Sequence, residues 1–412
     1  MKVLLTPLGS HGDVHPFVGL GMELTRRGHA VTVITNPYFQ SLIERAGLPF
    51  VPLGTVEQFR EVLENPLVWH PMEGFKLLLR YMVSAMRPLY EAIAANYVPG
   101  ETVVVHSPLG VGARLAHEKL GVPLATVHLA PSSLRSVVGP LVLPNVRVPG
   151  WMPAFLKRAV YWCGDRILVG PLVDAPINAY RAELGLPAIA RPLAVWWNSP
   201  QRILAMFPDW FAASAPDWPT QTRLCGFPRF DERGLVELPA ELEAFLQAGE
   251  PPVIFTPGSA MQHGHAFFKA ALEACARLPC RGILLTMHAD HLPERLPDTV
   301  RHFTYIPFSQ VFPRAAAVVH HGGVGTLAQG LAGGVPQLIM PMGYDQPDNA
   351  ERLARLGVGA ALSVHRFTGP NLAAKLRLLL QPEVRQRSRE LAGRLTNEQP
   401  LQRMCTLVEE LL

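Results

Sequence analysis

Long apolar runs are missing from this 412-residue chain. Although 49% of it is hydrophobic, no uncharged, continuously apolar run reaches the ~20 residues a membrane-spanning helix needs. Charge is scarce as well: 17% of residues are charged, with a formal net charge of +4. No Lys/Arg block with interleaved aromatics appears, so a nucleic-acid partner is excluded. The five cysteines (Cys163, Cys225, Cys275, Cys280, Cys405) contain no CxxC pair. They read as reduced thiols rather than a disulfide framework. GxGxxG is absent, and no Lys follows GGVGT, which excludes a dinucleotide fingerprint and a P-loop. Low-complexity tracts and short repeats are absent too. What the composition does supply is a large core, enough for two domains of about 200 residues each. Met1-Lys2 leads straight into an apolar strand, so no secretory leader is expected and the expected setting is cytoplasmic.

Strand and helix alternate along the first third. Strands are expected at 2–7, 30–35, 102–106 and 124–128, and helices at 16–27, 39–46 and 110–120. Pro16 would open the first helix after a glycine turn from Gly9 to Gly12. Alternation of this kind implies a parallel sheet covered on both faces, with ligands at the carboxyl ends of its strands. The pattern restarts after residue 250 with strands at 252–256, 281–287, 300–306, 315–319 and 337–340. The expected class is α/β, two doubly wound Rossmann-like lobes. The expected boundaries are 1–212 for an N-terminal acceptor-binding domain, 213–226 for a linker and 227–393 for a C-terminal donor-binding domain. Residues 394–412 would form a helix packing back on the first domain.

The most informative stretch is His320-His321-Gly322-Gly323-Val324-Gly325-Thr326, followed by Asp345-Gln346-Pro347-Asp348-Asn349. Gly322 and Gly323 let backbone approach a ligand, and the N–H groups of a helix starting around Val324, Gly325 and Thr326 suit a diphosphate. Asp345 and Gln346 can hydrogen-bond sugar hydroxyls. Diphosphate and sugar together mean a nucleotide-sugar site. His320, or its neighbour, is expected to donate to a phosphate oxygen. Adjacent residues on a strand point to opposite faces, so the histidine pair does not read as a metal site, and no metal is expected. Gly258-Ser259, at a strand end before a helix, is a second phosphate contact. Tyr305-Ile306 offers an aromatic to stack on a base and a backbone to read its edge. In Gly9-Ser10-His11-Gly12-Asp13, Asp13 is the candidate base, with His11 as runner-up and Ser10 and Gly12 near the donor. The alternative for Asp13 is a helix N-terminal residue favoured by the dipole. His106, at the end of the strand 102–106, is expected to tune Asp13 through a charge pair.

These residues resemble the inverting, metal-independent nucleotide-sugar glycosyltransferases of the GT-B fold. That family includes plant and mammalian UDP-glycosyltransferases, sterol glucosyltransferases and antibiotic glycosyltransferases. The resemblance rests on HHGGVGT from His320, GVPQLIMP from Gly334 and DQPDNAERL from Asp345. It implies two lobes across a cleft, diphosphate held by His320 and the backbone near Gly325-Thr326, sugar held by Asp345-Gln346, and no cofactor beyond the co-substrate. GSHGDVHPF, GARLAHEKLGVP, NSPQ and GFPRFD add a likeness to the bacterial rhamnosyltransferases that attach L-rhamnose from dTDP-L-rhamnose to hydroxyalkanoate lipids. Many family members carry His where Asp13 stands, as the base. The usual Trp and Gln of the base-binding loop correspond to Tyr305 and Phe308, which is compatible with thymidine.

The expected reaction is therefore sugar transfer with inversion, favouring L-rhamnose from dTDP-L-rhamnose. The acceptor would be apolar: a hydroxy-lipid, polyketide or phenolic aglycone. The alternatives are a UDP-glucose-dependent glucosyltransferase on sterol or flavonoid acceptors and, from another class, a nucleotide-sugar 2-epimerase. Segments 66–90 and 134–162 supply apolar side chains for an acceptor pocket. Residues 151–169 mix Trp, Phe and Arg, and read either as a packed helix or as a peripheral membrane contact.

Overall fold

The computed structural model describes residues 1–143, 146–258, 261 and 264–412. The chain divides into two compact units, 1–228 with 399–412, and 229–398.

In the first unit the strands are β1 (Lys2–Thr6), β2 (Ala30–Thr35), β3 (Phe50–Pro52), β4 (Thr102–His106) and β5 (Leu124–His128). An antiparallel pair, β6 (Leu141–Leu143) and β7 (Val146–Val148), precedes β8 (Arg202–Ala205) and β9 (Thr222–Leu224). The main sheet is parallel in the order β3-β2-β1-β4-β5-β8-β9. β4 and β5 are buried at every position, as β-branched strands covered on both faces should be. The direction of winding reverses between β1 and β4, so the loops after them form the ligand crevice of such a sheet.

The second unit has β10 (Val253–Thr256), β11 (Gly282–Leu285), β12 (Val300–Phe303), β13 (Ala317–His320), β14 (Gln337–Ile339) and β15 (Gly359–Ala361). All are parallel, in the order β12-β11-β10-β13-β14-β15. Its switch point lies between β10 and β13, where Thr256 and His320 are paired in register. One apolar cluster covers each face, built around Phe255, Phe268 and Leu372 on one side and Ile254, Phe312 and Val318 on the other.

Three expectations change. The first helix runs His11–Arg26, not from Pro16. Ser10 caps it and Asp13 reaches back in a capping box, a stronger start signal than the proline. Pro16 sits inside the helix, at the cost of one backbone hydrogen bond. The expected linker 213–226 is not a free connector, because β9 extends the first sheet by pairing with β8. The helix expected over 394–412 is not one element: the helix Pro382–Thr396 ends inside that range and a second, Pro400–Glu409, follows a break before Pro400. The second of them belongs to the first unit. There Glu409 pairs with Arg27 at 3.0 Å and with His29 at 2.9 Å.

A buried polar knot ties three segments of the first unit. Glu118 accepts from Arg181 Nη1 at 2.6 Å and from Trp196 Nε1 at 2.7 Å, and pairs with Arg114 at 3.0 Å. Burial acts to raise the Glu118 carboxyl, but the bonds from Trp196 and Arg181 and the charge of Arg114 outweigh it and hold its pKa below the ordinary value. Arg181 is 2% exposed, so removing its counter-charge strands a buried cation. Glu118→Ala should therefore lower unfolding free energy by about 3 kcal/mol in urea titrations. A depressed carboxylate contributes fully above its unfolded pKa of about 4.3 and progressively less as pH falls through the folded value. The gap between wild type and variant should therefore close in acid.

Candidate active site

In the first unit, the turn after β1 is shaped around one carboxylate. Asp13 Oδ2 accepts from the Ser10 backbone N–H at 2.7 Å and from Ser10 Oγ at 3.0 Å. Gly9 has φ +136°, and a Cβ there would lie 2.3 Å from Asp13 Oδ2. Only glycine leaves the carboxylate its place. Desolvation raises the Asp13 pKa, against the lowering effect of the two Ser10 bonds. Asp13 is thus both the dipole-favoured helix residue and a carboxylate made more basic than usual. Tyr81, from the helix Pro71–Asn96, is close enough for the Asp13 charge to help raise its hydroxyl to about 12, burial being the larger cause. No local signal in the sequence announces that approach.

His106 does not form the expected charge pair. Its Nε2 bonds Thr126 Oγ1 at 2.7 Å on the neighbouring strand, and no hydrogen bond or ion pair joins it to Asp13. Burial pushes its pKa down to about 3, so it is neutral. His11 packs edge-on against Phe39, Tyr38 and His15, with ring centroids 5.0, 5.5 and 5.7 Å away. Gly12 lies in the helix and is exposed.

In the second unit, the two histidines divide their labour differently from expectation. His320 is fully buried. Its Nδ1 accepts from Gly322 N–H at 3.1 Å, which leaves the proton on Nε2, donated to Gln337 Oε1 at 3.0 Å. Burial first, and His321 second, push its pKa down to about 3. Both ring nitrogens are engaged within the fold, so His320 braces the turn and has none left for a phosphate. Gln337, buried and also donating to Leu327 O, is the partner that sequence reasoning passed over.

His321 points into the glycine loops. A Cβ on Gly258 would lie 2.5 Å from His321 Cε1, and one on Gly323 would lie 2.5 Å from its Nε2. Its Nδ1 is enclosed without a hydrogen-bond partner, and desolvation lowers its pKa to about 4. The neutral ring therefore lies at the switch point between the β10 and β13 loops. Just beyond it the helix Val324–Ala332 begins, with Gly323 as N-cap. A Cβ on Gly325 would meet nothing within 4 Å. The backbone N–H groups of Val324, Gly325 and Thr326 thus start the helix beside open space. Ser259, the expected neighbour of Gly258, lies outside the described residues.

The polar tip is tied to the same turn. Asn349 Nδ2 donates to Gly322 O at 2.9 Å and to Asp345 Oδ2 at 2.7 Å. Asn349 is fully buried, and its spacing four residues after Asp345 on the helix Gln346–Arg355 is the signal that identifies it. Gln346 Oε1 accepts from Met342 N–H at 2.7 Å and Gly343 N–H at 3.2 Å. Its carbonyl therefore orders the loop, and only its amide NH2 remains for a sugar. Tyr305 donates its hydroxyl to Asp231 O at 2.9 Å, while Asp231 Oδ2 accepts from Ser309 N–H at 2.6 Å. Ile306 is buried in the core, so only its backbone is left to read a base. Phe308 stacks on Phe312 at 4.4 Å. Elsewhere His265, Asp290 and His291 bring possible ligand atoms within 4.8 Å of one another.

Residues 3–138 match the glycosyltransferase family 28 N-terminal domain. Residues 270–410 match the erythromycin biosynthesis protein CIII-like C-terminal domain. The O-mycaminosyltylonolide 6-deoxyallosyltransferase of Streptomyces fradiae is 32% identical over 426 residues, covering 100% of this chain and 97% of that one. The solved glycotransferase of kitacinnamycin superposes with TM-score 0.76 at 23% identity, covering 100% of this chain and 99% of that one. The spinosyn rhamnosyltransferase SpnG, complexed with thymidine diphosphate, gives 0.70 at 18%, covering 99% and 100%. The two sheets have the GT-B architecture, and the chain belongs to the GT-B glycosyltransferases. It is an enzyme that transfers sugar from a nucleotide-sugar donor.

Two substitutions separate bracing from binding. His321→Ala should weaken thymidine diphosphate binding by about tenfold, the loss of one hydrogen bond to a charged group, with little change in melting temperature. His320→Ala should instead lower stability first. Gly325→Ala should stabilise the helix by up to about 1 kcal/mol yet weaken the same binding, as calorimetric titration and thermal melts of one sample would show.

Proposed function

We propose that this enzyme transfers L-rhamnose, with inversion, from dTDP-L-rhamnose to a hydroxyl of an apolar acceptor such as a hydroxy-lipid, polyketide or phenolic aglycone. The observation that carries the donor half is the loop pair at the second switch point. There a neutral histidine, two glycines and a helix start converge. That arrangement supplies uncharged donors and a dipole for a diphosphate, and it gives the leaving group somewhere to place its charge. His321, Gly258 and the amides of Val324, Gly325 and Thr326 would hold the diphosphate, Tyr305 the base, and Asp345 with the Gln346 amide the sugar. Thymidine is favoured because Tyr305 and Phe308 depart from the base-binding loop of uridine users. A 6-deoxy sugar is in keeping with the relative named as a 6-deoxyallosyltransferase.

The first unit would supply the base. Asp13 takes the acceptor hydroxyl proton, and the oxygen forms a bond to the anomeric carbon. The bond from that carbon to the diphosphate oxygen breaks, with its electron pair leaving on the diphosphate. An ordinary carboxylate, pKa about 4, is weakly basic towards an alcohol. The desolvation of Asp13 works in the required direction. His106, neutral and bonded to Thr126, takes no part in this step.

Thermal shift with a matched panel of uridine and thymidine diphosphate sugars tests the donor, and stabilisation by uridine sugars alone sinks the rhamnose assignment. For the base, Asp13→Asn should reduce kcat by at least a hundredfold while donor affinity stays within about threefold; general-base contributions are of order 10²–10⁴. Wild-type kcat/KM should fall on the acid side through a pKa above the ordinary aspartate value of about 4, because the raised group must be ionised to act. That limb should vanish in the residual activity of the variant.

A further inference from the structure

Half of the exposed large hydrophobic side chains among the described residues, seven of fourteen, fall between residues 138 and 167. Trp151 is 82% exposed, Ile167 68%, Phe155 67% and Trp162 53%. Isolated surface apolar residues are ordinary, but a concentration of this size is not.

The exposure is fixed by what lies underneath. On the helix Ala154–Gly164, Lys157 is buried at 1% exposure and donates to the carbonyls of Val137, Gly139 and Gly150. Asp165, just beyond, is buried and bound by both terminal nitrogens of Arg135, at 2.7 and 2.8 Å. Lys157 and Asp165 face inward and are satisfied there, so rotation of the helix to bury its aromatics would break all of these bonds. Phe155, Arg158 and Trp162 recur at helical spacing and share the outer face. The exposed charged residues of 151–167 are Arg158 and Arg166, both cationic, and the half-buried Asp174 lies near enough to feel the Arg166 charge.

An outward face of Trp, Phe and Ile set among arginines, with Asp165 turned inward and the exposed Asp217 engaged by Ser136 and Val137, has the chemistry of a surface that inserts rings at the acyl boundary and neutralises anionic headgroups. None of the helices is long and apolar enough to cross a membrane, among the described residues. We infer that residues 151–167 dock the enzyme on the surface of an anionic phospholipid bilayer. This inference stands apart from the donor assignment, because its residues all lie in the first unit.

The test is co-sedimentation of the full chain with vesicles of phosphatidylcholine alone and of phosphatidylcholine with phosphatidylglycerol. Binding to the anionic vesicles is expected, and it should weaken as salt is raised. The double variant Phe155→Glu/Trp162→Glu should reduce the bound fraction at least tenfold, and Arg158→Glu/Arg166→Glu should abolish the preference for phosphatidylglycerol. Thermal shift by thymidine diphosphate should be the same in all three proteins, which confirms folding and reads the donor site separately. Wild type left in the supernatant, or equal sedimentation of the variants, overturns the inference. So does a wild-type dimer that the aromatic variant converts to monomer without any vesicle binding.

Discussion

The amide groups at the start of the helix Val324–Ala332 have no carbonyl of their own helix to bond, and the rest of the donor site is arranged around that constraint. A parallel sheet sends every strand end and every following helix start to the same edge. In the second unit, β10 and β13 lie side by side at the reversal of winding, so two loops open together there. Gly258 and Gly323 thin those loops around a single imidazole, and Gly325 leaves the helix start bare. The result is a loop pair of backbone amides and neutral side chains, the kind of surroundings that favour an anion. Chemistry at such a site needs no protonated histidine, and burial ensures there is none: His320 and His321 are both held far below their ordinary pKa.

The same economy appears at the first switch point, with opposite sign. Burial raises a carboxylate where it lowers an imidazole, because in each case it disfavours the charged form. Asp13 is kept in place by Ser10, so the groups that position it also temper its basicity. His106 and His128, deep in the same sheet, are both neutral and bonded to uncharged partners, Thr126 for the one and Ser133 with Asn198 for the other. They add shape to the unit without adding charge.

Much of this was legible in the residues. Parallel strands covered on both faces read as apolar, often β-branched runs; Thr102–His106 was recognisable on that basis, and the strand expected at 315–319 overlaps Ala317–His320. The glycine motif gave the donor side its chemistry because helix starts and anions are a general pairing. Legibility failed where a choice depends on three dimensions. Which of two adjacent histidines turns inward depends on Gln337, seventeen residues downstream of His320. The fate of His106 depends on Thr126, on a strand that the sequence does not pair with it. Tyr81 feels the Asp13 charge from a different helix. Pro16 misled because proline usually marks a helix start, whereas here the capping box of Ser10 and Asp13 starts the helix five residues earlier.

The terminal helix Pro400–Glu409 carries a consequence for biogenesis. Met404, Cys405 and Val408 are fully buried in a unit whose other residues end at Pro228. On the ribosome, the whole of 229–398 emerges before those side chains exist. At synthesis rates of about 5–20 residues per second, the earlier half waits on the order of ten seconds or more with an apolar groove still open. The second unit can close its own core meanwhile, so maturation runs out of sequence order: the unit begun earlier is completed after the one that follows it.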